Sequence, residues 1–464
     1  MDTYGIEDLI QELGGYGRYQ IFMTVFIHAY KAVSVFSMYA MTFAGAVPLW
    51  HCSDTDNSSV NEFDNKENET IRLKSCFLNG TACSTYRFDN KVNTIVSEWK
   101  LVCDLKWAPA TATTLQMTGV LIGNLAAGQI ADSIGRKPTF YLGISCSVAS
   151  NLLAFFSVNW EMFAAARFLI GIATGLALTV QYTFACEFML SKWRAAVMNI
   201  PSWEIFAAVY AGIAYLIRDW RYLHLVTAII GSLFLPTWKL IPESVRWYSA
   251  RGRADDAISV VRSIAKMNRQ SVPELSVIHR VCKHEGERDI GTRSQKQYTI
   301  LELLRHRDLL IITLKLSVLW LNFGYSFYAI TFGVNNFSGD LFLNIFLVTI
   351  VELPAQLISF ILNMRFGRRK ANAFCLVVSG STALAVGIVQ VIDTPLRAVL
   401  TNVCALISKI GASAMFVPMA ALSMELYPTV VSLLLIMTLP ETKNMALRDK
   451  MEDKFKTEMK DLKR

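Results

Sequence analysis

Charged residues are scarce in this chain of 464 residues: 18% are Asp, Glu, Lys or Arg, whereas 53% are hydrophobic. A soluble globular protein carries about 25% charged residues, so the composition argues against a soluble domain. A helix needs ~20 predominantly apolar residues to cross a bilayer, and runs of that length recur through most of the sequence. The composition therefore predicts an all-α polytopic membrane protein.

Sequence signals of catalysis are missing as well. The chain has no Walker-type phosphate-binding loop, no Cys-x-x-Cys pair and no cluster of its six histidines with cysteines. It also has no nucleophile elbow and no paired carboxylates outside the turns between apolar runs. We therefore expect no enzyme activity, no metal, no cofactor and no transport driven by the chain's own ATP hydrolysis.

Ten apolar runs are predicted to be spans. They lie at residues 21–49, 110–131, 139–158, 161–185, 195–217, 222–241, 309–333, 341–362, 371–392 and 397–424. The polar, acidic start of the chain and the length of the first run disfavour a cleavable signal peptide.

The net charge of +8 comes from turns between spans rather than from a nucleic-acid-binding patch. The basic turns are residues 135–137, 192–194, 246–307 and 368–370. Because positively charged loops stay in the cytosol, these turns and both termini are expected there, in a multi-pass protein of the plasma membrane.

The loop at 51–108 is polar and is expected on the opposite, oxidising face. It contains four cysteines and three Asn-x-Ser/Thr sequons, and together these indicate disulfides and glycosylation. Four cysteines allow three pairings, which sequence cannot separate; the alternative is an unstructured loop with free thiols. The predicted residues are Cys52, Cys76, Cys83 and Cys103 for the disulfides and Asn57, Asn68 and Asn79 for the glycans.

A compact charged turn occurs once in each half of the chain. The first copy is Asp132 to Lys137, and the second is Asn363 to Lys370, with Met364 in place of the aspartate. Repeated turns between apolar runs are typical of transporters built from two related halves. Charged groups at the ends of adjacent helices can pair in one conformation and separate in another; alternatively they only set orientation. We predict a cytosolic gate at Asp132, Gly135, Arg136, Glu187, Arg194, Glu243, Arg246, Arg368, Arg369, Glu425 and Glu441.

These motifs resemble a known family. The turn around 132–137 is similar to the signature of the major facilitator superfamily. Pro242-Glu-Ser-Val-Arg-Trp247, Glu425-Leu-Tyr-Pro-Thr429 and Leu439-Pro-Glu-Thr-Lys443 resemble sequences of its organic ion transporters, solute carrier family 22. The resemblance implies two helical bundles with twelve spans. It also implies alternating access for a small organic ion, with the lipid bilayer as the other partner.

The spacing of these motifs predicts fewer than twelve spans. Glu187 and Pro242 are 55 residues apart, whereas the corresponding Glu425 and Pro440 are only 15 apart. About forty residues, enough for two spans, are therefore expected to be missing, which leaves ten. The predicted organisation is a six-helix bundle at 1–241, a cytosolic linker at 242–307, a four-helix bundle at 308–430 and a tail at 431–464. A skipped exon or gene-model error is one explanation, and a transport-inactive short isoform is the other.

Ionisable residues within spans are costly and mark candidate sites. We predict a pair between Glu352 and Lys409, whereas Arg167 and Lys315 are expected to snorkel or pair near the membrane edges. Aromatic side chains in span 7 could hold a cation, or they could pack in the core or face lipid. The predicted substrate cavity comprises Tyr182, Glu204, Trp320, Phe327, Tyr328, Glu352, Gln356 and Lys409.

The resemblance also bears on the charge of the substrate. Tyr182 is similar to a cavity tyrosine of the cation-transporting branch, and Gln356 replaces a lysine of the anion branch. Organic cations or zwitterions such as carnitine are therefore favoured. The alternatives are an organic anion transporter and a transport-inactive form that associates with full-length relatives.

Overall fold

The structure is a computed structural model whose two compact units, Met1–Ser294 and Gln295–Arg464, are considered separately. It describes residues 5–52, 76–78, 81–83, 85–89, 91–190, 193–194, 197, 200–294, 307–334, 337, 339–392 and 395–426. Three sets of predictions lie outside these residues: the glycosylation sites Asn57, Asn68 and Asn79, the gate residue Glu441, and the shortened spacing after Glu425.

Helices dominate both units. Those of the first unit are α1 (Ile6–Glu12), α2 (Arg18–Ala44), α3 (Ile95–Glu98), α4 (Ala108–Ile134), α5 (Arg136–Phe155), α6 (Trp160–Glu187), α7 (Ser202–Ile217), α8 (Trp220–Ser232), α9 (Val245–Ala250), α10 (Ala254–Asn268) and α11 (Leu275–Ser294). Those of the second unit are α12 (Arg307–Gly333), α13 (Leu341–Ile350), α14 (Glu352–Val391) and α15 (Arg397–Leu426). The all-α prediction is confirmed.

Each predicted span overlaps helical structure, but the span at 341–362 is divided between α13 and α14, and the bounds of two others need correction. Within the span predicted at 195–217, α7 begins at Ser202, directly after Pro201 at its N-cap. The span predicted at 222–241 becomes the shorter α8, and a 3₁₀ turn at Leu235–Lys239 that contains Pro236 follows it. Proline lacks the backbone N–H that an interior helical position needs, so it marks a boundary in both places.

Five helical stretches among the described residues are long and apolar enough to cross a membrane. One of them, Leu341–Val391, includes both α13 and α14. Inside α14 the backbone breaks at Gly367, where φ is 78°. Gly135, between α4 and α5, has φ of 115°. Both copies of the repeated turn therefore use a left-handed backbone that favours glycine.

The helices that follow the sixth span pack onto the first unit. Ile258, Val261 and Cys282, from α10 and α11, belong to the same buried cluster as Leu9 and Phe140. The predicted linker at 242–307 therefore divides, because its residues up to Ser294 are part of the first unit.

The described parts of the loop at 51–108 are held together by two disulfides. The structure joins Cys52 to Cys83 and Cys76 to Cys103. Strand β1 (Trp50–Cys52) pairs antiparallel with β4 (Tyr86–Phe88), and β2 (Phe77–Leu78) pairs with β3 (Thr81–Ala82). Of the three possible pairings, the structure therefore contains this one.

Candidate functional site

An ion pair lies deep inside the second unit. The Nζ of Lys409, on α15, is 2.8 Å from Oε1 of Glu352, at the start of α14, and both side chains are at most 1% exposed. The ammonium also donates to Thr331 Oγ1 at 2.7 Å and to the carbonyl oxygen of Phe327 at 3.4 Å. The two residues predicted to form a pair are therefore brought together from different helices.

One aromatic side chain of α12 contacts this pair, and others of the same helix pack beside it. The Lys409 ammonium lies over the ring of Phe327, 3.2 Å from its centroid. Phe323 stands 5.5 Å from Phe327 and 5.7 Å from Trp320, measured between ring centroids. The indole N–H of Trp320 donates to Ser423 Oγ at 3.2 Å. The protein's own cation thus occupies one face of the Phe327 ring.

The remaining predicted cavity residues lie in several places. In the second unit, Tyr328 stacks on Phe332 with ring centroids 5.6 Å apart, and Gln356 is half-buried on α14. In the first unit, Tyr182 is half-buried on α6 and Glu204 is buried in the first turn of α7.

Arg167 does not snorkel. Its side chain is fully buried on α6, and it donates to the amide oxygen of Gln116 on α4. Gln116 in turn donates to the carbonyl oxygen of Ser37 at 3.2 Å. Of the two possibilities for Arg167, pairing is the one found, and this polar contact joins α2, α4 and α6.

The predicted gate residues of the first unit meet at the ends of α4, α5 and α6. Arg136 donates from Nε to Glu187 Oε1 at 2.9 Å and also pairs with Asp132. Asp132 is largely exposed, whereas Arg136 and Glu187 are mostly buried. Arg136 therefore links the ends of α4 and α6 through two carboxylates.

The carboxylate of Glu243, which precedes α9 in sequence, lies at the N-terminus of α5. This carboxylate accepts the backbone N–H of Lys137 at 3.1 and 3.2 Å and that of Ser244 at 2.8 Å. A helix N-terminus favours negative charge, and a Cβ at Gly135 would collide with this carboxylate. Burial raises the pKa of Glu243 above its ordinary value of 4.5, and hydrogen bonds from the backbone N–H groups of Ser244, Lys137 and Arg136 oppose that rise. Close approach, as well as backbone conformation, therefore requires glycine at 135.

A second cluster involves a residue that the sequence analysis did not single out. Glu7, on α1, pairs with both Arg194 and Arg246 through the same carboxylate oxygen. Arg194 also donates from Nε to the carbonyl oxygens of Cys186 and Met189, each at 3.2 Å. One exposed carboxylate near the chain start thus connects two predicted gate residues that are far apart in sequence.

The gate residues of the second unit are less completely described. Arg368 and Arg369 are half-buried on α14 just after Gly367. Met364, in the place of the first copy's aspartate, is 64% exposed. The backbone of Glu425 is part of α15, but its side chain lies outside the described residues, as does all of Glu441. This unit therefore shows the turn without the acid of the first copy.

Two further polar residues of the first span were missed. His28 contacts Ser202 Oγ at 2.7 Å and the Val197 carbonyl oxygen at 3.0 Å, and Lys31 lies over the ring of Tyr182. Both interrupt the apolar run at 21–49, so the rule that marks ionisable residues within spans would have found Lys31. Within the described ranges no group of three His, Cys, Asp or Glu side chains is arranged to hold a metal.

Comparison with known proteins gives a consistent picture. A model of the Major Facilitator Superfamily matches residues 78–438. An "Organic cation transporter protein" of Drosophila melanogaster is 30% identical, with 92% of this chain and 82% of that protein covered. The human "Organic cation/carnitine transporter 2" is 30% identical over 74% of this chain, and the match spans only 60% of its length. Rat "Solute carrier family 22 member 6" is 27% identical over 91% of this chain and 82% of its own length.

Solved structures show the same fold. A partially occluded, inward-open form of the xylose transporter XylE from E. coli aligns with a TM-score of 0.55 at 14% identity, covering 87% of this chain and 86% of XylE. A double tryptophan mutant of XylE aligns with a TM-score of 0.57 at 15% identity, covering 89% and 83%.

Proposed function

Because the chain belongs to the major facilitator superfamily and resembles its organic ion transporters of solute carrier family 22 at about 30% identity, we propose that it carries small organic ions across a membrane by alternating access. Members of this superfamily are transporters and not enzymes. Organic cations or zwitterions such as carnitine are the favoured substrates.

The observation that carries the proposal is the buried pair of Glu352 and Lys409. Two charges with no access to water are costly unless each is compensated, and here each compensates the other at 2.8 Å. A substrate ammonium can replace Lys409 beside Glu352 and compensate the buried carboxylate in its place. Glu352 thus gives the ammonium of an organic ion a buried carboxylate to pair with.

The charge clusters of the first unit support a gate. The pairs from Arg136 to Glu187 and from Glu7 to two arginines bridge the ends of different helices. Partly exposed pairs of this kind contribute little stability each, so they can break during a transport cycle without unfolding the bundle.

We place the protein in the plasma membrane, with the basic turns and both termini in the cytosol. Two features support this orientation. Lysine and arginine are concentrated in the turns at 135–137 and 368–370, and the loop with two disulfides fits an oxidising compartment.

The short spacing between Glu425 and Pro440 favours a second candidate function. A chain without two spans of the second bundle would act as a transport-inactive partner of full-length relatives. A third candidate, organic anion transport, has the similarity to rat solute carrier family 22 member 6 on its side.

Uptake by cells that express the full chain tests these candidates. We expect saturable uptake of labelled tetraethylammonium or carnitine, normalised to surface protein by biotinylation, and its loss in Lys409→Met. The matched control is Lys370→Met, which removes an exposed lysine from the same unit. An unchanged rate in Lys409→Met at equal surface amount would contradict the role of the pair.

A companion protein with about forty apolar residues inserted after Val431, enough for two spans, separates the active from the inactive form. If only this longer protein transports, the present chain is the inactive form. If p-aminohippurate is taken up and the two other compounds are not, the anion assignment replaces the cationic one.

A further inference from the structure

Lys31 occupies the centre of the first span. It is the midpoint of α2, thirteen residues from Arg18 and thirteen from Ala44, or about 20 Å from either end of the helix. Its side chain is 2% exposed. A four-carbon side chain cannot bring the ammonium to water from that depth, so snorkelling does not explain this lysine.

The contacts of Lys31 leave its charge largely uncompensated. Its Nζ lies 5.1 Å from the centroid of the Tyr182 ring, a cation–π contact. No carboxylate lies within ion-pair distance of this ammonium in the part of the chain that the structure describes. His28, one turn earlier, is engaged with Ser202 and Val197.

The second unit provides a direct comparison. Lys409 also lies over an aromatic ring, that of Phe327, but it has Glu352 at 2.8 Å and Thr331 at 2.7 Å in addition. Lys31 has the ring without the carboxylate. A buried ammonium needs an anion or several acceptors, and the missing partner of Lys31 has the chemistry of a carboxylate.

Tyr182 is the more accessible member of this contact. The tyrosine is half-buried, whereas Lys31 behind it is enclosed. An aromatic ring next to a cation suits an organic carboxylate, whose apolar body can lie against the ring while its oxygens meet the ammonium.

We propose that Lys31 binds the anionic group of the substrate, and that the substrates of this chain therefore carry a carboxylate. The inference rests on the proposed transport function and narrows it, because zwitterions are then selected over simple cations. Tyr182 positions the ammonium and contacts the carbon skeleton of the substrate.

The test compares three labelled compounds in cells that express the full chain. Carnitine carries a carboxylate, carnitine methyl ester lacks it, and tetraethylammonium is a simple cation. We expect Lys31→Met to raise the KM for carnitine about ten- to hundred-fold, the loss of one charge-assisted hydrogen bond. The KM values for the ester and for tetraethylammonium should stay within about twofold of wild type, the scatter allowed here for context effects.

Two further variants separate binding from folding. Lys31→Arg keeps the charge and should retain carnitine uptake, whereas Lys239→Met removes an exposed lysine and should change nothing. Surface protein is measured by biotinylation. Purified wild-type protein is also heated with each compound, so that preferential stabilisation by carnitine over its ester tests the inference even if Lys31→Met fails to fold.

The outcomes are distinguishable. Equal effects of Lys31→Met on carnitine and on its ester would show a structural role and overturn the inference. Transport of tetraethylammonium without transport or binding of carnitine would overturn the inference and leave the proposed function standing. If no compound is transported or stabilises the protein, both are wrong.

Discussion

Breaking the pair of Glu352 and Lys409 should destabilise the second unit strongly. The two side chains are 1% and 0% exposed and 2.8 Å apart, so removing one charge leaves the other buried without its counter-ion. Such a loss costs about 3–5 kcal/mol. We expect Lys409→Met to lie within that range.

The neutralised carboxylate should be tolerated somewhat better. In Glu352→Gln the lysine keeps Thr331 Oγ1, the Phe327 carbonyl oxygen and the ring of Phe327. Each retained hydrogen bond contributes about 0.5–3 kcal/mol. We therefore expect a cost of about 3 kcal/mol for this variant, the lower limit of the range for a broken buried pair.

The double variant carries the decisive information. With both charges removed no uncompensated ion remains, and replacing a buried pair by neutral side chains is often close to neutral in stability. We expect Glu352→Gln with Lys409→Met to cost no more than Lys409→Met alone. The coupling energy of the double-mutant cycle is then at least about 3 kcal/mol, the cost of Glu352→Gln, which is the upper limit for residues in contact.

Thermal unfolding of the purified protein in detergent measures this cycle, and surface biotinylation provides a cellular measurement. Lys370→Met, at an exposed position of the same unit, is the control and should change stability by less than about 0.5 kcal/mol. Strictly additive losses in the double variant would refute the reasoning, because they would mean that the two charges do not compensate each other.

Three further outcomes follow from the first unit. Gly135→Ala combines a backbone that only glycine adopts easily with a collision at Glu243 and should cost about 2–4 kcal/mol in thermal unfolding. Gly128→Ala, in open space on α4, should instead stabilise by up to about 1 kcal/mol. Equal effects of the two variants would contradict the steric argument. Glu7→Gln removes the carboxylate shared by two arginines, but that side chain is 42% exposed. We therefore expect the free energy of unfolding to fall by less than about 1 kcal/mol, and the difference should disappear in high salt. A difference that persists in high salt would show a different cause. The pKa of Glu243 is raised in the native state, so the native carboxyl binds a proton more readily than the unfolded one. Its contribution to stability is therefore complete below the ordinary value of 4.5 and is lost as the pH rises through the native pKa. The thermal midpoint of wild type relative to Glu243→Gln should fall when the pH is raised from 4.5 to neutrality, and a rise would refute this argument.

Sequence alone determined the helical architecture and identified two of the buried charges. The apolar runs predicted ten spans because a helix must satisfy its own backbone hydrogen bonds in lipid. Each run overlaps helical structure, although the run at 341–362 is divided between α13 and α14. Gly135 and Gly367 marked the two turns, since a left-handed backbone is accessible chiefly to glycine. Glu352 and Lys409 were identifiable because an ionisable residue in an apolar run is a visible exception.

Only the tertiary structure decided which polar groups meet. Glu7 reaches arginines 187 and 239 residues away, and Cys52 joins Cys83 rather than either of the other two candidates. The ring beneath Lys31 belongs to another helix. Hydrophobic periodicity indicates which residues are buried. Which side chains meet across two helices depends on the rotation and offset of each helix against its neighbours. Those are properties of packing that no local sequence pattern encodes.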